Sequence, residues 1–233
     1  MEDIKNWESK FQACKYSDQL LNLIVDLNSK VRIPTDINII KKACFYARLY
    51  HGDQERKSKD PYYSHPLIVA YLFALYVGNN MQRYYTIDLI VIAILHDTIE
   101  DTKLTYKMIE EIFNRNVADG VKDLSRITTD DLKTSAGDTL LSLYAQSKYG
   151  LLLVKMFDRL HNTQTLEFKS LDKRWKTIRE NAEFFIFLAM VLGRVDLTEE
   201  LKRLSNQGVS IANSSSFGNN FLLAESPLSV VLS

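Results

Sequence analysis

The sequence has 233 residues, 46% hydrophobic and 25% charged, and its 29 Lys plus Arg balance 29 Asp plus Glu to a formal net charge of zero. That length and composition support a full hydrophobic core and exclude disordered and collagen-like classes. Zero net charge argues against sequence-blind nucleic-acid binding, which runs on excess positive charge.

The chain opens on the polar stretch MEDIKNWESK, with no apolar signal run. Residues 1–38 read as an N-terminal helical segment packed on the domain that follows, with Leu20, Leu21, Ile24, Val25 and Leu27 at helical spacing. Cys14 and Cys44 are too few for a disulfide framework or a four-cysteine zinc site, and they suit a reducing compartment. The longest apolar runs, 89–95 and 184–192, fall far short of the roughly 18 residues a membrane helix needs. The expectation is a soluble, cytoplasmic protein with no membrane partner.

Apolar residues keep the helical period almost throughout, as in Ala43, Cys44, Ala47 and Leu49, and again in Ile178, Ala182, Phe185, Ile186 and Ala189. Breaks are expected at Pro34-Thr35, Asp60-Pro61, Gly78-Asn79-Asn80, 115–120, 128–138 and Gly193. The fold class is all-α, a helical bundle of about eight to nine helices, with the principal domain over 39–205. Residues 206–233 hold a single charged residue, Glu225, among Ser, Asn and apolar residues, and read as a poorly ordered C-terminal extension.

Three segments carry ionisable residues where an apolar helix would not want them. The first, His51 to Pro66, is a basic loop containing Arg56, Lys57 and Ser58 beside His65 and suits a phosphorylated, base-bearing molecule. The second places His96, Asp97, Glu100 and Asp101 directly after an apolar run. On one continuous helix, His96 and Glu100 would be i,i+4, as would Asp97 and Asp101. Carboxylates at a helix C-terminus meet the negative end of the macrodipole, so nearby positive charge would relieve them. The third is the apolar run before Asp158, Arg159, His161 and Asn162. Each also fits a plainer explanation: a solvated basic loop, a solvated helix end, and a buried ion pair of Asp158 with Lys155 or Arg159. Taken together, His65, His96, Asp97 and Asp158 offer two imidazoles and two carboxylates, a donor set for a borderline divalent ion such as Mn2+, with Zn2+ or Fe2+ also suited. Such an ion lowers the pKa of a water bound to it.

The order of these motifs resembles the HD-type hydrolase domain of the RelA/SpoT family, whose members degrade the stringent-response alarmones ppGpp and pppGpp. The family pattern runs A-H-x-G-Q-x-R-K-S-G-x-P-Y-x-x-H-P, then L-L-H-D-x-x-E-D-T, then K-L-A-D-R-L-H-N. This chain reads YHGDQERKSKDPYYSHP, ILHDTIEDT and KMFDRLHN in the same order, within 41–193. The resemblance implies that 39–205 is the HD hydrolase domain and that His65, His96, Asp97 and Asp158 are manganese ligands. It implies that Glu100 and Asp101 are the catalytic acids that orient and deprotonate the attacking water. It places Arg56 against the guanine base, Asn162 in the nucleoside site, and Lys57 and Ser58 on the same substrate loop, while His51 and His161 take structural roles. The implied reaction is hydrolysis of the 3′-diphosphate to pyrophosphate and GDP or GTP, with a guanine-nucleotide alarmone as the molecule bound.

Several positions depart from the pattern. Lys59 stands where the family has Gly, so the loop is expected to bend differently. Residues 78–86 look like an inserted loop, Asn114 replaces a Gly mildly because Asn also visits the left-handed region, and Asp123-Leu124-Ser125-Arg126-Ile127 replaces G-V-T-K-L as an altered wall of the pocket. Too few residues follow Gly193 for a synthetase domain, so the expectation is a hydrolase-only form or a fragment of a longer ancestor. Two other readings share the resemblance: a stand-alone homologue acting on another phosphorylated nucleotide such as NADPH, and a non-catalytic alarmone-binding fragment.

Overall fold

The structure, a computed structural model, describes residues 6–125, 128–129, 132–133 and 135–215. The chain divides into two compact units, Met1–Asp158 and Arg159–Ser233. The regular structure of the described residues is helical apart from one short antiparallel pair, β1 (Thr128–Thr129) with β2 (Leu132–Lys133), so the all-α class holds.

In the first unit the helices are α1 (Trp7–Lys10), α2 (Lys15–Asn28), α3 (Ile37–His51), α4 (Ser64–Asn80), α5 (Ile87–Leu95), α6 (Thr98–Asp101), α7 (Tyr106–Ile112), α8 (Arg115–Leu124), α9 (Ala136–Ala145) and the larger part of α10 (Tyr149–Gln164). Helix α5 is apolar on every side, and Ile90 to Leu95 are all buried, which makes it the centre of the core. Helices α3, α4 and α8 pack against it. Helix α2 turns Leu20, Ile24 and Leu27 onto α4, where Gly78 leaves room for the Leu27 side chain. Pro66 is tolerated in α4 because the first turn of a helix has no intrahelical use for its N–H.

In the second unit, α11 (Leu171–Glu180), a π turn (Asn181–Phe185) and α12 (Ile186–Val191) form one interrupted helix before α13 (Val195–Ser215). The chain turns between α12 and α13 at Gly193, with φ 66°, as its composition predicts. The described residues form thirteen α segments, more than the sequence suggests, because α1 and α6 are single turns and the π turn splits one helix in two.

Three local expectations are corrected. No break occurs at 115–120: α8 runs through Gly120, whose missing side chain lets Ile92 and Leu151 close over it, at a propensity cost of about 1 kcal/mol against Ala. Asn114 does not replace Gly by visiting the left-handed region. Its backbone is extended, and its Oδ1 caps α8 by accepting from Val117 N at 2.9 Å. Helix α13 continues ten residues past the boundary drawn at 206, because Gly208 packs beneath Leu166 and Ile178 and Ala212 is buried on the same side. Residues 216–233, and Arg126 and Ile127 of the altered pocket wall, lie outside the described residues. Part of the inserted stretch 78–86 completes α4, and a 3-10 turn over Gln82–Tyr84 then leads into α5.

Loop 52–63 keeps a glycine-like geometry without the glycine. Lys59 sits at φ 72°, Arg56 N donates to Asp60 O, and Ser58 Oγ and Tyr16 Oη both donate to the Asp60 carboxylate at 2.9 Å. A left-handed lysine costs roughly 1–2 kcal/mol. Replacing Lys59 with Gly relieves that strain but adds chain entropy to the unfolded state. The net expectation is a gain of about 0.5 kcal/mol for Lys59→Gly in urea unfolding; a loss of stability would show that the loop bears no strain there.

Candidate metal centre

Three described side chains converge at the heart of the first unit. His65 enters from the first turn of α4, His96 follows the last residue of α5, and Asp158 comes from α10. One ligating atom from each lies within 4.8 Å of the others, and both imidazoles are buried. His65 Nε2 stands 3.1 Å and His96 Nε2 3.7 Å from Asp158 Oδ1. His96 Nδ1 donates to Ala93 O at 2.9 Å, which fixes the ring orientation and turns Nε2 towards Asp158.

Asp97 stands beside this trio. Its Oδ1 accepts from His51 Nε2 at 3.2 Å, while its Oδ2 is buried and has no hydrogen-bond partner among the described residues. An unsatisfied buried oxygen of this kind costs about 1–3 kcal/mol, and more when it is charged. A divalent cation would remove that cost, and two imidazoles with two carboxylates are donors that suit one. The residues therefore fit a bound metal.

The plainer explanation of Asp158 is present as well. Lys155 Nζ lies 3.4 Å from Asp158 Oδ2, whereas Arg159 pairs with Glu180 at 2.7 Å. The ion pair takes one carboxylate oxygen and leaves the other to the histidines. Burial alone would raise the Asp158 pKa, but Lys155 and the two histidines hold it well below the ordinary carboxylate value. Burial likewise opposes charge on Asp97, and His96 with His51 brings its pKa down to about 2. Burial keeps His65 below its usual value and so neutral. For His96, burial is outweighed by Asp97 and Asp158, which lift it to about 9.

The acids after Asp97 do not form the expected continuous helix end. The helix stops at Leu95, Thr98 Oγ1 closes onto Leu95 O at 2.7 Å, and a new turn, α6, begins after Asp97. Glu100 and Asp101 thus lie in the first turn of α6, and the macrodipole argument at a C-terminus does not apply to them. Tyr62 Oη donates to Asp101 Oδ2 at 2.8 Å, and the Tyr62 ring stacks on His51 with centroids 4.8 Å apart.

His51, given a structural role from the sequence, orients the site. Gln54 Nε2 donates to Asp101 O at 2.9 Å, which leaves Gln54 Oε1 facing His51 Nδ1 at 3.0 Å. His51 must donate there, and it must donate again from Nε2 to the Asp97 carboxylate. It is therefore an imidazolium: burial opposes the charge, but Asp97 outweighs it and raises the pKa. Tyr62 and Gln54 carry no periodic signal, and only the loop's spatial closure reveals them.

The substrate-loop residues divide. The Arg56 guanidinium is half-buried; burial lowers its pKa, while Tyr62, Asp158 and Asp97 pull it back up. Lys57 is exposed, and the Ser58 hydroxyl is spent on Asp60. Asn162 lies one turn after Asp158 on α10 and belongs to the second unit, where its Oδ1 accepts from Lys169 Nζ at 3.5 Å. No helix of the described residues is long and apolar enough to cross a membrane.

Among known families, the HD domain matches residues 43–195. The chain is similar to the GTP pyrophosphokinase rsh of Brucella ovis, at 37% identity over 181 residues covering 75% of this chain and 23% of that protein. It is similar to the bifunctional (p)ppGpp synthase/hydrolase SpoT of Escherichia coli, at 33% identity over 190 residues, 78% of this chain and 26% of that protein. The guanosine-3′,5′-bis(diphosphate) 3′-pyrophosphohydrolase of Shigella flexneri matches to the same extent. These are RelA/SpoT-type proteins, matched here over the HD region, and the chain spans about a quarter of their length.

A metal bound at this centre must displace the proton from His96. Mn2+ affinity, followed by calorimetry, is therefore expected to rise by up to about tenfold per pH unit as pH climbs towards 9; a flat profile would remove His96 from the ligand set. In the metal-free protein the same raised pKa stabilises the fold fully below 6.5, and that contribution is lost as pH rises through about 9. Asp97→Ala is expected to abolish measurable Mn2+ binding. His51→Gln is expected to weaken it by about 10–100-fold, the usual effect of losing a residue that orients a ligand.

Proposed function

This chain belongs to the HD domain family, and we propose that its metal centre hydrolyses the 3′-diphosphate of ppGpp or pppGpp, yielding pyrophosphate and GDP or GTP. The observation that carries this reading is the bare, buried Oδ2 of Asp97 beside His65, His96 and Asp158, with two further acids in the next helical turn. Support comes from relatives that match 190 residues here and whose names include (p)ppGpp hydrolase activity. His65, His96, Asp97 and Asp158 would hold a divalent ion such as Mn2+. When bound, it lowers the pKa of water and offsets charge that builds on the phosphate.

The chain's own groups do the rest. Glu100 takes a proton from the attacking water, whose oxygen bonds to the phosphorus attached to the ribose 3′ oxygen. The bond from that phosphorus to the 3′ oxygen breaks, the 3′ oxygen regains a proton, and pyrophosphate leaves with the water oxygen. Asp101, held by Tyr62 and Gln54, aims the water and shares the proton traffic. Arg56 lays its planar guanidinium against the guanine base, and Lys57 adds positive charge for the phosphates. The free thiols Cys14 and Cys44 fit a cytoplasmic setting.

Purified chain mixed with ppGpp and Mn2+ is expected to release pyrophosphate, and EDTA to stop it. Release of orthophosphate, or none with ppGpp still bound, would overturn the assignment. Glu100→Gln is expected to keep Mn2+ affinity and to lose turnover by about 10²–10⁴-fold. Arg56→Ala is expected to raise KM at least tenfold with little change in kcat; an unchanged KM would separate Arg56 from the base.

A further inference from the structure

Behind the loop that carries Arg56, in the first unit, lies a cavity of about 710 Å3 that none of the four proposed metal ligands lines. Its volume falls in the range that encloses small molecules. Phe45, Arg48 and Leu49 of α3, Phe11, and residues of loop 52–61 including Gln54 line it. The charges around it do not cancel. Lys59 and Glu55 neutralise one another at 3.7 Å, leaving Lys10 and Arg48 against Asp53. Arg48 donates one N–H to Gln12 O at 2.7 Å and lies over the Tyr63 ring at 5.5 Å, so its planar cation is already oriented at the wall.

Gln54 is the residue this cavity shares with the metal centre. On its other side Gln54 holds the His51 imidazolium and the Asp101 carbonyl. The loop is tied to itself by Tyr62 N on Gln54 O and Arg56 N on Asp60 O, so displacement at one wall carries to the other.

We propose that this cavity is a regulatory site for a small, flat, apolar molecule bearing one anionic group, and that its occupant acts on the metal centre through Gln54. A ligand drawn between Phe11, Phe45 and the Arg48 guanidinium pulls Gln54 from His51. That loosens Asp97 as a ligand and Asp101 as an acid together. The effect on Asp101 rests on the hydrolase reading; the effect on metal affinity does not.

The test titrates the full chain with anilinonaphthalene sulfonate, a flat aromatic monoanion, and with the uncharged phenylnaphthylamine, following fluorescence. One saturable site is expected for the anion. Arg48→Gln weakens the anion at least tenfold and leaves the neutral amine unchanged, while Leu49→Trp fills the cavity and removes both. Circular dichroism reports whether either variant still folds. Dye binding that neither variant alters overturns the site. Mn2+ affinity, measured with and without saturating dye, tests the coupling: a severalfold loss in the wild type that is absent in Leu49→Trp supports it, and no loss in the wild type overturns it. Because no readout requires turnover, a chain that fails to hydrolyse ppGpp rejects the hydrolase reading and leaves the cavity to be judged by these titrations.

Discussion

The first unit is organised around the problem of keeping two carboxylates, Asp97 and Asp158, out of water next to three buried imidazoles. Removing a charge from water costs several kcal/mol unless it is paired and hydrogen-bonded. Each acid is compensated on one oxygen by the protein, Asp97 by His51 and Asp158 by Lys155. The remaining oxygens turn towards His65 and His96 or have no partner. A wholly satisfied cluster would be a structural ion-pair network. Here Asp97 Oδ2 has no partner among the described residues, and a cation would fit beside it.

The rest of the unit serves that placement. An apolar α5 supplies the rigid core from which His96 projects, and α3, α4 and α8 close around it. Loop 52–63 then threads Arg56 and Tyr62 past the acids while Gln54 ties it back to His51 and Asp101. Asp97 and Asp101 are thus held by the same few hydrogen bonds.

Departures from the family pattern are absorbed locally. Lys59, standing where the family pattern has Gly, takes a left-handed conformation because Asp60, gripped by Ser58 and Tyr16, fixes the turn around it. Asn114 substitutes through a different device, a side-chain cap on α8. Gly120, expected to interrupt a helix, is retained inside one because Ile92 needs the space. In each case sequence-local chemistry identified a special position, and packing chose what the position does.

The sequence by itself determined the helical class, from apolar residues recurring at the 3.6-residue period, and it marked His65, His96, Asp97 and Asp158 as ionisable groups set against apolar helices. It could do so because helical periodicity and the cost of burying charge are both local in the chain. It could not separate a metal set from an ion pair, because that depends on which oxygen of Asp97 or Asp158 lacks a partner once α4, α5 and α10 meet. Nor could it show that the helix breaks between Leu95 and Thr98, or that His51, Tyr62 and Gln54 brace Asp97 and Asp101. Those contacts join residues about 40 or more positions apart, and only the tertiary fold brings them within hydrogen-bonding distance.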